Sequence, residues 1–238
     1  MKKDFIRKWF YLGVLFLLPV IFLLFLYPST HNYIPLDIVK TNVNDVDDFN
    51  FFDDKKTLFK DNITVLSFLG NEPMNNITSV LNLKELVYDK FRGFKKFQIL
   101  TISTSGTEVV LEEVKKEIQK ADELKYWYFA TGTPEQIQKL YSSLINDIEL
   151  DTTLATNRVF IIDKLYNQRG RIDDRIETEI EKGKKLYGLY SYNSIKISEI
   201  KNKMSDDMRI LFTEYRQKRK GKFDSNNRRI KNLETIEN

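Results

Sequence analysis

Few side chains in this sequence could perform covalent or soft-metal chemistry. There is no cysteine and a single histidine, His31. Without thiols, disulfide exchange, zinc–thiolate or cuprous–thiolate binding and cysteine nucleophiles are excluded. A Ser-His-Asp triad or a histidine metal site would have to recruit His31, which lies just beyond an apolar run; a solvated linker histidine is the simpler reading. The carboxylates Asp45, Asp47, Asp48, Asp53 and Asp54 resemble a calcium loop only loosely, because the D-x-[DN]-x-[DN]-G spacing is missing. Asp173-Asp174, flanked by Arg171 and Arg175, could serve acid–base work only in a pocket that shifts its pKa values; a solvated charged turn is expected. The glycines Gly106, Gly132 and Gly170 stand alone. Neither G-x-x-x-x-G-K-[ST] nor G-x-G-x-x-G nor G-x-S-x-G occurs, so nothing here cradles a nucleotide phosphate or presents a nucleophilic serine.

Other patterns have structural readings. Asn62-Ile-Thr64 and Asn76-Ile-Thr78 match the glycosylation pattern, but Asn62 opens a buried strand and the anchor layout is bacterial, so no glycan is assigned. Tyr126-Trp-Tyr-Phe129 fits a buried strand better than a ligand cage. Tyr187, Tyr190 and Tyr192 fall in a loop and could face a protein partner. Net charge is +4, concentrated in Arg216–Lys222, Arg228-Arg229 and Lys231. That cluster is read as a solvated helix end and tail, and nucleic-acid binding is not expected.

The elements that would position any site begin with a membrane segment. Trp9 to Tyr27 carries no charge and is long enough to cross a hydrocarbon core of ~30 Å. Trp9, Tyr11 and Tyr27 sit near its ends as interfacial aromatics do. Lys2, Lys3, Arg7 and Lys8 precede it, and Pro28 to Asp37 has no Lys or Arg, which puts the N-terminus in the cytoplasm. The exit, Phe25-Leu-Tyr-Pro-Ser-Thr30, lacks a small-x-small cleavage site, so an uncleaved anchor is expected, with Pro19 kinking it.

Beyond it, hydrophobic content of 42% against 30% charged suits one globular domain. Residues 30–61 could be a spacer with a short strand or hairpin. Strands are then expected at Ile63–Leu69, Phe97–Ser103, Tyr126–Thr131 and Val159–Asp163, with Arg169–Ile172 pairing back as an edge strand after a turn at Tyr166–Gln168. Helical spacing marks Ile77–Phe91, Val109–Ala121 and Ile197–Tyr215, the last with Ile197, Ile200, Met204, Met208, Leu211, Phe212 and Tyr215 on one stripe. Thr133, Pro134 and Gln136 form a capping box for a helix that carries Ile137, Leu140, Tyr141, Leu144 and Ile148 inward. The order β-α-β-α-β-α-β-β-α is that of an expanded thioredoxin-like α/β fold, a central mixed sheet flanked by helices.

Several stretches resemble the Sco/SenC family of thioredoxin-fold, membrane-anchored copper chaperones for cytochrome oxidase assembly. They are Val65–Gly70 with Glu72-Pro73 and Asn82-Leu83, then Phe129–Glu135, and Ala155-Thr156 followed by Val159–Asp163. The resemblance spans residues 58–215 plus the anchor. In that family a Cys-x-x-x-Cys pair and a distant His hold copper. Placed by Pro73 and Asn82-Leu83, the two cysteine positions are Glu72 and Asn76; counted back from Asp163, the histidine position is Ala155. Thr104–Thr107 looks shorter than its family counterpart and lacks the acidic and proline residues found there. Glu72 and Asn76 would then be loop and helix-start residues, with Asn or Thr capping.

The expected organisation is a cytoplasmic N-terminus (1–8), a transmembrane anchor (9–28), a linker or N-terminal extension (29–57), a thioredoxin-like domain (58–217) and a basic, flexible tail (218–238). The expected role is a redox-inactive binding, scaffold or assembly protein, not an enzyme, with no catalytic residue, metal or cofactor. The domain would lie on the periplasmic face of a bacterial cytoplasmic membrane. The resemblance implies cytochrome oxidase subunits or assembly factors as partners. The alternative is a copper carrier using Glu72, Met74 and Asn76, although one carboxylate, one thioether and one amide suit cuprous ion poorly.

Overall fold

In the computed structural model, residues 2–26, 35–52, 56–120 and 123–221 are described. Tyr27, His31, Asp53, Asp54, Ala121 and the basic residues from Lys222 onward lie outside them. The chain divides into two compact units, Met1–Ile34 and Pro35–Asn238.

The first unit is helix α1, Lys2–Leu26, which continues through Pro19. Its stretch Arg7–Phe25 is long and apolar enough to cross a membrane. Trp9, Phe16, Leu23 and Phe25 are all exposed on it, Phe25 by 82%. A helix that is apolar all round needs an apolar surrounding.

The second unit is built on strands β1 (Asp37–Lys40), β2 (Asn50–Phe51), β3 (Ile63–Gly70), β4 (Phe97–Thr104), β5 (Trp127–Gly132), β6 (Ala155–Ile162), β7 (Gln168–Gly170) and β8 (Tyr192–Asn193). The sheet runs β1-β7-β6-β3-β4-β5-β2, with β8 added to β6. β3, β4 and β5 are mutually parallel. β6 lies antiparallel to β3, and β7 antiparallel to β6. The helices are α2 (Ile77–Leu83), α3 (Asp89–Phe91), α4 (Glu108–Gln119), α5 (Pro134–Ser142), α6 (Glu177–Glu181) and α7 (Ser205–Arg219). A π turn, Lys84–Tyr88, joins α2 to α3, and another, Glu199–Met204, leads into α7. Two parallel β-α-β crossovers, then an antiparallel hairpin and a closing helix, make this a thioredoxin-like arrangement.

Alternation along the strands sorts side chains to two faces. Ile63, Val65 and Leu69 of β3 meet Val80 and Leu83 of α2, Leu111 and Val114 of α4, and Met208 and Leu211 of α7. Leu66 and Phe68 face the other way, toward Ile137 and Leu140 of α5 and toward Val43, Val46, Phe49 and Phe59. The segment expected to be a linker therefore forms part of the second layer. Its strands β1 and β2 close opposite edges of the sheet, pairing with β7 and β5. The described start of this unit is Pro35, not residue 58.

Other expectations change for the same reason: partners distant in sequence. β7 is not an edge strand, because β1 covers it. The capping box of α5 forms, with Gln136 N–H donating to Thr133 Oγ1 and Thr133 N–H to Gln136 Oε1. The helix ends at Ser142, however, and Ile148 is left exposed. Ile197 precedes the π turn and points outward, whereas Ile200, Met204, Met208 and Leu211 are buried. Helix α7 extends through Arg219, beyond the expected start of the tail at residue 218.

Two ionic clusters fasten α7 to the sheet. In the first, Arg169 of β7 is buried; its Nη1 donates to Asp163 Oδ2 at 3.0 Å and its Nη2 to Glu214 Oε2 and to the Leu36 carbonyl at 2.6 Å. Asp163 also caps the β6–β7 turn, accepting from the N–H groups of Leu165 and Asn167 at 2.9 and 3.0 Å. In the second, Arg171 grips Asp207 through Nε and Nη2 (3.0 and 2.8 Å) and Asp174 through Nη1 (2.9 Å). Tyr192 Oη donates to Asp207 at 2.7 Å. Burial, with the Asp207 carboxylate beside it, pushes the Tyr192 phenol well above its usual range. Asp174 and Tyr192, expected in a solvated turn and an exposed loop, are thus interior residues, whereas Asp173 and Arg175 of the same run pair nearer the surface.

An excursion at residues 173–189 carries α6. Its Glu179 carboxylate accepts from Lys184 Nζ and Tyr187 Oη, both at 2.6 Å, and from Ile176 N–H at 3.2 Å. These donors, the Lys184 ammonium first, lower its pKa from 4.5 to about 2.

Two outcomes are expected. Arg169→Leu removes the buried guanidinium that Asp163 and Glu214 share and should cost about 3–5 kcal/mol, read from urea unfolding; a loss below ~1 kcal/mol would remove Arg169 from its fastening role. For Glu179 the folded pKa is depressed, so its stabilisation is complete above pH 4.5 and fades as pH falls toward 2. Amide exchange across residues 176–187 should accelerate over that window, and Glu179→Gln should reproduce the effect at neutral pH.

Candidate functional site

The carboxyl ends of parallel strands are where loops open and ligands gather in α/β sheets. Here those ends are Gly70, Thr104 and Gly132. β3 stops at Gly70 because the chain there takes φ +66 and runs hard against the segment before β6. A Cβ at Gly70 would lie 2.1 Å from the Thr153 carbonyl oxygen. Asn71 N–H donates to that same oxygen at 2.8 Å, and Ser103 Oγ donates to the Gly70 carbonyl at 2.5 Å. Only glycine allows this approach. The register of β3 shifts on both sides near Phe68, which loosens its end from the ladder.

After Gly70 comes a 3₁₀ turn, Pro73–Asn76, that runs into α2. Asn75 Nδ2 donates to Glu72 Oε2 at 2.5 Å, and Asn76 Nδ2 to the Leu69 carbonyl at 3.2 Å. Met74 is exposed. Asn76 stands at the N-cap position of α2, but its side chain does not cap the helix; it is committed to Leu69. The expectation of an Asn or Thr cap is corrected accordingly: the turn supplies its own continuity, and the Asn76 amide holds the loop against β3.

Ala155 opens β6, buried, directly opposite Leu69 in the β3–β6 register. Leu69 thus lies between the two parts of the expected site: its carbonyl takes Asn76, and its backbone neighbours Ala155. Asp151 braces the approach to Ala155, accepting from Thr153 N–H, Thr153 Oγ1 and Ala155 N–H at 2.8, 2.6 and 2.9 Å. Burial pushes the Asp151 carboxyl up, but these donors outweigh it and leave it below its usual range. Across the loop, Glu108 at the start of α4 accepts from Gly106 N–H and Thr131 Oγ1, both at 3.1 Å, and sits below the usual carboxylate range for that reason.

The three positions singled out in the sequence therefore converge on one end of the sheet, although they are spread over more than eighty residues. What they offer is limited. Glu72 and Asn76 are each engaged within the loop, and Ala155 brings only a methyl group. Among the described residues, no three His, Cys, Asp or Glu side chains group as a metal set. Asp151 and Glu108 were not singled out in the sequence. The donors to Asp151 are all local, Thr153 and Ala155, so the Asp151-Thr-Thr153 turn was the signal that could have found it, whereas Glu108 depends on Thr131, a partner brought by the fold.

Gly70→Ala should destabilise the domain by more than about 1 kcal/mol, because both φ and the Thr153 carbonyl oppose the methyl group. Thermal unfolding measures this; an unchanged midpoint would mean the loop does not depend on that close approach.

No family model and no curated protein matches the chain. Solved structures do. BsSco, a member of the Sco family of cytochrome c oxidase assembly proteins, is similar at TM-score 0.47 and 14% identity, covering 75% of this chain and 98% of its own. ScoI of Bradyrhizobium japonicum with copper bound is similar at TM-score 0.42 and 14% identity, covering 73% and 100%. A protein disulfide isomerase-like structure from Bacteroides thetaiotaomicron is similar at 0.45 and 11%, covering 78% and 99%. Structures of the Sco family are thus among the solved structures that it is similar to.

Proposed function

We propose that this chain is a membrane-anchored, Sco-like binding or assembly protein whose copper and redox position has been given up. One observation carries the reading. Glu72, Asn76 and Ala155, which the resemblance matches to two cysteines and a histidine, lie at one end of the sheet, and the sequence contains no cysteine. Asn76 is tied to a backbone carbonyl and Ala155 is buried, so the position serves the loop's own structure. What remains usable is a shaped surface, and a shaped surface binds.

In this reading α1 spans a bacterial cytoplasmic membrane with its N-terminus inside, as the four basic residues before the apolar stretch favour. The domain is then periplasmic, and a respiratory oxidase or one of its assembly factors is the client. A copper carrier built on Glu72, Met74 and Asn76 is disfavoured by the prior engagement of the carboxylate and the amide.

The test is a pull-down of the tagged full-length chain in mild detergent, paired with a cuprous titration of the same preparation. Recovery of oxidase subunits or their assembly factors, with no copper bound more tightly than roughly 1 μM, is the expected result. Stoichiometric tight copper binding would overturn it. The triple variant Glu72→Cys, Asn76→Cys, Ala155→His should gain cuprous binding; a folded triple variant that does not would show that these positions are not the family's ligand positions.

A further inference from the structure

The excursion at residues 173–189 leaves the sheet after β7 and returns to it before β8. Its neck is closed by backbone bonds. Arg171 and Leu189 each donate an N–H to the other's carbonyl, at 2.9 and 2.8 Å, and Asp174 N–H donates to the Tyr187 carbonyl at 2.9 Å. Beyond the neck, the tip is braced by its own groups. α6 ends in a Schellman turn at Gly183, which takes φ +65; Gly183 N–H donates to the Ile180 carbonyl at 2.9 Å and Lys184 N–H to the Glu179 carbonyl at 3.0 Å. Arg175 Nη1 donates to the Lys184 carbonyl at 2.7 Å, and Glu179 holds both Lys184 and Tyr187. The tip is a preformed knob.

No α6 side chain of this knob enters the core. Ile176, which precedes the helix, and Ile180 within it are 63% and 50% exposed. They stand four apart, with Ile180 N–H donating to the Ile176 carbonyl at 3.1 Å, so they share one side of the turn. Leu186 and Tyr187 on the returning segment are exposed as well. A lone apolar side chain at a surface is ordinary, but four on one braced knob mark a protein contact.

The charges around them select the occupant. Asp173 pairs with Arg175, Glu179 with Lys184, and buried Asp174 with Arg171 and Lys203. Glu177, Glu181, Lys182 and Lys185 are exposed and take part in no ion pair among the described residues. A lipid surface calls for cations alone around the apolar groups, and here carboxylates match ammoniums. Their order along the chain is the deciding feature: the unpaired carboxylates come first and the unpaired ammoniums after them. A copy of the same segment, reversed by a two-fold axis, sets the Glu177–Glu181 end of each chain against the Lys182–Lys185 end of the other, with the isoleucines between.

We propose that the knob at residues 176–187 docks against the same knob of a second copy, forming a two-fold symmetric dimer. The segment supplies fewer residues than the roughly 20–30 a side of a standard interface, so the pairing is weak and reversible. It requires no client at the Gly70–Asn76 loop.

The absence of cysteine allows single-site cross-linking. Full-length Ile180→Cys and Val109→Cys would each be treated with a short bis-maleimide in mild detergent. Val109, 76% exposed at the start of α4, is the control. Ile180→Cys should give a covalent dimer and Val109→Cys should not. Glu177→Lys with Glu181→Lys, or Lys182→Glu with Lys185→Glu, added to Ile180→Cys, should lower the yield about tenfold, at roughly a factor of two for each of four ion pairs across the axis. The reversed residues are exposed and unpaired, so both variants keep the fold. Mixing the two reversed chains should restore the dimer, since every charge then meets its opposite. Equal cross-linking at both positions, or a yield that ignores the reversals, would overturn the proposal. So would reversed chains that fail to pair when mixed. An Ile180→Cys chain that joins a different protein in whole cells, and never a second copy, would give the knob another occupant and overturn it too.

Discussion

A guanidinium buried between two carboxylates is tolerated only when every charge has its partner in place, and Arg169 meets that condition by drawing on three parts of the chain. It holds Asp163 in the β6–β7 turn, Glu214 in α7 and the Leu36 carbonyl at the entrance to the domain. The hairpin, the closing helix and the N-terminal extension are therefore placed relative to one another by one side chain. Arg171, two residues along the same strand, repeats the device with Asp207 and Asp174. Hydrophobic burial makes the sheet and its layers compact, but it is non-directional. The two arginines supply the direction, because their donors accept only one arrangement of α7 against the hairpin.

At one end of the sheet, Gly70 turns the chain closely past Thr153, the Asn76 amide ties the loop to the Leu69 carbonyl, and Leu69 bridges the loop to Ala155. An amide bonded to a carbonyl and a buried methyl group can shape a surface, but cannot hold a soft ion.

The sequence by itself determined the features whose chemistry is local. The apolar run of α1, the buried strand Ile63–Leu69 with its β-branched residues, and the Thr133–Gln136 capping box each form from neighbours a few residues apart. The absence of cysteine excluded thiol chemistry outright, and the resemblance named Glu72, Asn76 and Ala155 as positions that the fold does bring to one end of the sheet. Only the tertiary structure decided the rest. Strands β1 and β2 are too short to carry a period and exist because β7 and β5 offer open edges far along the chain. Asp174, Tyr192 and Asp207 look like solvent residues until α7 packs, since a buried charge is recognisable only by its partner.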